Sequence, residues 1–117
     1  MNCILLFDQD FVDNEKSVVC LTGRRLAHIT TVFRAEAGKE YKVGLLNGKL
    51  GLGTVINKTG TQIEMRVVFD SAPPPPAPVT LILALCRPKS LRKSIEAATS
   101  LGVKKIYVIE SWRVEKS

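Results

Sequence analysis

The sequence predicts a mixed α/β protein: a small closed or nearly closed β-barrel, followed by the first βαβ unit of a truncated α/β domain. Three observations predict it. The stretch "APPPPAP" at 72–78 divides the chain, since successive prolines favour polyproline II and cannot feed a sheet ladder. Before it, short β-favouring runs alternate with frequent turn signals around one helical segment, the texture of a small barrel. After it, an apolar run, a helical pattern and a second apolar run follow in order, which reads as strand, helix, parallel strand.

The first runs are "NCILLF" and "SVVCL", with the polar "DQDFVDNEK" between them. A helix is predicted over residues 24–35. Leu26, Ile29 and Phe33 form its inward stripe with Val32 at the edge, while Arg24, His28 and Thr31 share the opposite face. Arg34 falls between the two faces, and Gly38 suits the turn beyond. "EYKVGLLN" and "LGLGTVIN" flank Asn47-Gly48, the signature of a type I′ hairpin with positive φ at both centres. In "QIEMRVVFD", Ile63, Met65, Val67 and Phe69 alternate with more polar positions. Gly44, Gly48, Gly51, Gly53 and Gly60 supply the corners and bulges that a small barrel needs.

Past the prolines, "VTLILALC" is nearly continuous in apolar residues, as expected of a strand buried on both faces. The helix that follows has Leu91, Ile95, Ala98 and Leu101 as its stripe. Gly102 is its C-terminal stop and "KIYVIE" is the next strand.

The 117 residues carry a net charge of +6. Residues 1–72 hold nine Lys/Arg against eight Asp/Glu, and residues 73–117 hold eight against three, so the excess sits in the last third. Such a balance suits a polyanionic partner. Cys3, Cys20 and Cys86 are odd in number and widely spaced, which argues against a disulfide framework or a zinc site. The amino terminus lacks the pattern of a signal peptide and no run is long enough to span a membrane, so a cytoplasmic protein is expected.

No catalytic constellation is visible. P-loop, GxGxxG and GxSxG patterns are absent, and His28 is the single histidine. With Arg24, Arg25 and Arg34 nearby, His28 is as suited to contacting RNA as to being a plain surface residue. Arg87, Lys89 and Arg92 cluster where a strand ends and a helix begins, the edge where open α/β sheets bind ligands and helix N-termini attract anions. Trp112-Arg113 falls on the same edge after the second strand, where an aromatic beside an arginine can stack and pair with RNA or pack at an interface. Lys93, Lys104 and Lys105 read as solvated surface.

In order, these parts resemble the RsmE-type RNA methyltransferases. The resemblance rests on "RRLAHITTVFR" with "AGKEYKVGLLNGKLG", and on "LGVKKIYVIESWRVEKS". It implies a PUA-like RNA-binding barrel over residues 1–72, a linker over 73–78, and over 79–117 the first βαβ unit of a SPOUT (trefoil-knot) domain. The implied parent enzyme methylates N3 of a uridine in small-subunit (16S) ribosomal RNA with S-adenosylmethionine, and dimerises through its knot. The resemblance puts Arg25, His28 and Arg34 at the RNA surface and matches Arg87 and Arg113 to basic positions after the first and second strands. With Arg24 and Lys89 from the charge pattern these are the expected RNA-binding residues, and no catalytic, cofactor-binding or metal-binding residue is expected in this chain. The family's Gly-Pro-Glu-Gly-Gly segment is not found here, so the chain is expected to be an amino-terminal piece that is inactive alone. Ala97 and Ser100 stand where many members carry charges. The rival readings are a non-catalytic RNA-binding module and an interaction protein whose βαβ segment docks on another subunit.

Overall fold

Alternation of apolar residues builds the first of two units, Met1–Pro73 and Pro74–Ser117. They are seen in a computed structural model that describes residues 3–113. In the first unit β1 (Ile4–Leu6) runs parallel to β3 (Glu40–Leu45). Antiparallel pairs then join β3 to β4 (Leu50–Lys58), β4 to β5 (Gln62–Ser71), and β5 to β2 (Val18–Thr22). The order is therefore β1-β3-β4-β5-β2. Period-2 alternation sends Ile63, Met65 and Val67 of β5 inward, together with Val19 and Leu21 of β2 and Leu6 of β1, into one core.

The connection between the outer strands forces this sheet to curl. From Leu6 the chain makes one 3₁₀ turn, Asp8–Asp10, and at Phe11 already bridges Val19 on the far side of β2. On a flat sheet those positions would lie about 24 Å apart at the usual strand spacing. Five residues that include a 3₁₀ turn reach only about 14 Å. Curling brings residues of both outer strands into the core, and the Phe11 ring lies 6.3 Å from that of Phe69 on β5. Two β-bulges assist, one between Leu50 and Gly51 and one between Val55 and Asn57.

Helix α1 (Gly23–Val32) buries Leu26 and Ile29 against this core. It stops earlier than its periodicity predicts. Thr30, Thr31 and Val32 form a β-branched run that loses side-chain freedom in a helix. Phe33 caps the helix by donating its N–H to the Ile29 carbonyl, and Arg34 turns left-handed at φ 48°. Arg34 is thus not between two helical faces; it is the residue that turns the chain so that Ala35 enters the core. Val32 is exposed. The Asn47-Gly48 hairpin forms, but not as a type I′ turn. Asn47 alone has positive φ, and a three-residue loop is closed by the Leu45 N–H donating to the Lys49 carbonyl.

The second unit pairs β6 (Thr80–Ala84) with β7 (Lys105–Ile109) in parallel, joined by α2 (Pro88–Ser100). Pro88 occupies the first helical turn, where its missing N–H costs nothing. At the other end Gly102, at φ 83°, donates to the Thr99 carbonyl while the Val103 N–H donates to that of Ala98, a Schellman stop. The expected burial of β6 on both faces is not met. A single helix covers a single face, so on the other face Ile82 is 64% exposed and Tyr107 and Ile109 are about half exposed. Of the α2 stripe, Ala98 is buried and Leu91 half-buried, whereas Ile95 and Leu101 are exposed. Ala77 donates its N–H to the Gly102 carbonyl, so the end of the proline stretch is tied to this second unit.

Because the curled sheet and α1 share one core, a polypeptide of residues 1–73 is expected to melt in a single cooperative transition. A product that binds ANS and lacks near-ultraviolet dichroism would instead show that the packing needs residues 74–117.

Candidate functional site

A groove of about 410 Å³ runs between β1 and α1. β1 is an edge strand, so among the described residues one side of its backbone has no strand neighbour. The floor and walls are largely apolar, from Leu5, Phe7, Ile29 and Phe33, with Arg24 and His28 contributed by α1. Arg24 and His28 are both exposed, one helical turn apart on the face that helical spacing predicts. The His28 ring meets Phe33 edge-on with 6.0 Å between centroids, and Phe33 meets Tyr41 likewise at 5.4 Å.

Arg25 has a partner that periodicity does not reveal. Its Nη1 and Nη2 donate to the two carboxylate oxygens of Asp10 at 2.5 and 2.6 Å, a fork-on-fork pair. The Phe7 N–H donates to the same carboxylate at 2.7 Å. The guanidinium lies over the Phe7 ring, 5.0 Å from its centroid, and Nη1 is 3.4 Å from the Leu5 carbonyl. Asp10 is buried and retains only 5% of its surface. Burial pushes its carboxyl pKa up, but the hydrogen bonds from Arg25 and Phe7 and the Arg25 charge outweigh that and hold it below the ordinary value. Arg25 is therefore first a strut that pins the 3₁₀ turn to α1. Phe7 and Asp10 are the site residues that sequence reasoning missed. "DQD" between two strands reads as solvated loop, and only an arginine brought close by the fold makes the buried carboxylate affordable.

Arg34 is exposed just past Phe33. In the second unit, the parallel register pairs Ala84 with Ile109, which sets Arg87 and Trp112-Arg113 beyond the carboxyl ends of neighbouring strands, as predicted. Arg87 is the residue before α2 and Lys89 lies in its first turn, both exposed. The Arg113 guanidinium stacks on the Trp112 ring at 4.3 Å, and Trp112 is 85% exposed. Arg92 is engaged by Glu96 at 2.8 Å across one helical turn. Lys105 lies over Tyr107 at the opposite end of the strand pair. Residues 114–117, the end of the Arg-Val-Glu-Lys-Ser motif, lie outside the described residues. Among the described residues no group of His, Cys, Asp and Glu could hold a metal ion, and no helix is long and apolar enough to cross a membrane.

No family profile matches the chain. It is 27% identical over 117 residues to ribosomal RNA small subunit methyltransferase E of Treponema pallidum, covering 97% of this chain and 43% of that protein. Among solved structures, ribosomal RNA small subunit methyltransferase E of Neisseria gonorrhoeae, bound to S-adenosylmethionine, matches 97% of this chain. That match has a TM-score of 0.69 at 14% identity and covers 48% of that protein. A predicted RNA methyltransferase of Thermotoga maritima matches with a TM-score of 0.61 at 18% identity, over 97% of this chain and 51% of its own. The chain thus spans about half the length of the proteins it matches. It is similar to RsmE-type methyltransferases in sequence and shares their mixed α/β fold.

Proposed function

We propose, starting from this similarity to RsmE-type methyltransferases over nearly the whole chain, that the protein supplies the RNA-positioning part of an rRNA methyltransferase. The sequence similarity carries the proposal, since a shared fold alone does not fix function. The reaction is methyl transfer to N3 of a uridine in small-subunit (16S) ribosomal RNA. The uridine would be drawn out of its helix and would give its N3 proton to solvent. The new N3–methyl bond would replace the methyl–sulfur bond of the donor, which would leave as the neutral thioether S-adenosylhomocysteine. S-adenosylmethionine supplies the methyl group in the whole enzyme, and no described residue of this chain is assigned to hold it. The rest of the reading follows the resemblance: a PUA-like barrel, the start of a SPOUT domain, a cytoplasmic enzyme, and dimerisation through the knot.

Within this chain the work is binding. Arg24, His28 and Arg34 are the exposed polar groups on and beside the groove of the first unit. Arg87, Lys89 and Arg113 line the strand ends of the second. Arg25 contributes mainly by holding Asp10, with a third of its side chain left exposed. The alternative, a non-catalytic RNA-binding module, draws support from the self-contained core of the first unit.

Binding of the 117-residue chain to a hairpin from small-subunit rRNA, followed by fluorescence anisotropy, is expected to weaken steeply with salt. Replacing Arg34 by alanine removes one charge-assisted phosphate contact and should cost about 1.5–3 kcal/mol. Replacing Lys104 and Lys105 together, at the far end of β7, should cost much less. Equal losses from both would mean diffuse electrostatics and would end the assignment of a specific RNA face.

A further inference from the structure

We infer that the groove between β1 and α1 seats a single unpaired RNA base; the inference rests on the RNA-binding reading above and names what that site takes. The argument begins with the backbone. The Leu46 N–H donates to the Leu6 carbonyl, across the parallel pair of β1 and β3. In a parallel ladder alternate residues turn both backbone groups toward the neighbouring strand, so Leu6 faces β3 and Leu5 faces the open edge. The Arg25 Nη1 near the Leu5 carbonyl marks that side as the side of α1. The groove wall therefore offers the Leu5 N–H together with the second lone pair of a carbonyl that already accepts from Arg25, the kind of pair that a base edge can read.

The remaining walls suit a flat ring. Leu5 is 47% exposed, and Phe7 carries the Arg25 guanidinium on its face. His28 stands on the helix side, and bases stack on aromatic rings and on guanidinium planes alike. Because Asp10 grips Arg25 through both nitrogens, that plane is held in place before any ligand arrives. Arg24 adds a positive charge at the rim for the adjoining phosphate. The volume is near the lower end of the range for small-molecule sites. It accommodates one nucleotide and excludes a duplex, whose bases are stacked out of reach.

The test compares two RNA hairpins that differ by one bulged 2-aminopurine, bound to the full 117-residue chain at about 50 mM salt. The bulged hairpin should bind at least about tenfold more tightly than its fully paired counterpart, with quenched fluorescence, as expected for one stacked base. Cys3 is exposed and lines the groove, so its alkylation by iodoacetamide, followed by peptide mass spectrometry, should slow when bulged RNA saturates the protein. Leu5→Trp, which fills the groove, should erase the preference. The alkylation readout needs no variant and stands if that substitution misfolds. Equal binding of both hairpins with unchanged Cys3 reactivity would overturn the base seat and leave the RNA-binding reading intact. Failure of both hairpins to bind would overturn the base seat and the RNA-binding reading together.

Discussion

Asp10→Ala is expected to destabilise the first unit by about 2–4 kcal/mol, because it leaves Arg25 and the Phe7 N–H without their acceptor. The figure stays below the upper end for broken buried pairs because the Arg25 side chain is 34% exposed and can regain water. For a domain of this size the loss would lower the melting temperature by roughly 10–20 °C. Arg25→Ala is the harsher change. It strands a carboxylate that keeps only 5% of its surface, with the Phe7 N–H as its remaining donor among the bonds described above. Urea denaturation of both variants, with the slope checked for constancy, measures the two costs. If each falls within about 0.5 kcal/mol of wild type, the strut carries no weight.

The pair also sets a sign for pH dependence. Asp10 has its folded pKa held below its unfolded value. Its stabilising contribution is therefore complete above the unfolded pKa of about 4, and is lost as pH falls through the lower folded value. Asp13 is lowered by hydrogen bonds from Ser17 and Val18, and Glu36 by its hydrogen bond and charge pairing with Lys39, so both titrate in the same direction. The difference between wild type and Asp10→Asn, measured from pH 7 to pH 3, isolates the Asp10 share. In Arg25→Ala the sign should reverse for this group. Burial, the largest influence on Asp10, then outweighs the single Phe7 hydrogen bond and raises the folded pKa. Its destabilisation should ease as pH falls toward the unfolded value.

What the sequence discloses and what it hides divide along one physical line. Periodicity reports which side of an element faces apolar surroundings, so the inward rows of β5 and α1 were legible, as was the αL stop at Gly102. It cannot report how much cover the surroundings provide. The apolar run of β6 reads as doubly buried, yet one helix protects only one of its faces. Nor can it weigh a local preference against a tertiary demand. The α1 pattern extends to residue 35, but the chain leaves the helix at Phe33 so that Ala35 can enter the core. For the site, exposed Arg24 and His28 followed from helical spacing. The commitment of Arg25 to Asp10 did not, because it depends on the sheet curling far enough to bring residue 10 beside residue 25.

That curl depends on close approach of the strands, and glycine substitutions should grade it. At Gly51 an added Cβ would lie 2.0 Å from the Val68 carbonyl oxygen and 2.8 Å from the Phe69 Cα. These are backbone atoms in the facing strand, so relief requires moving β5 and not merely turning a side chain. The register explains the crowding. Leu50 faces Ser71 while Gly51 faces Phe69, leaving Asp70 as the extra residue of a bulge on β5. At Gly53 the obstacles are the flexible Met65 Cε at 2.7 Å and the stiffer Val43 Cγ1 at 2.9 Å, both side chains of the core. At Gly60 nothing lies within 4 Å. Gly51→Ala should therefore cost about 3 kcal/mol or more, Gly53→Ala about 1–2, and Gly60→Ala about 0.5 or less. Urea midpoints of the three variants test the ordering. Because Cys3, Gly51 and Asp70 line one cleft, displacement of the bulge in Gly51→Ala should also reach Cys3, and Cys3 alkylation should quicken in that variant and not in Gly60→Ala. Equal midpoints for Gly51→Ala and Gly60→Ala would mean that the bulge yields freely and that the curl does not depend on it.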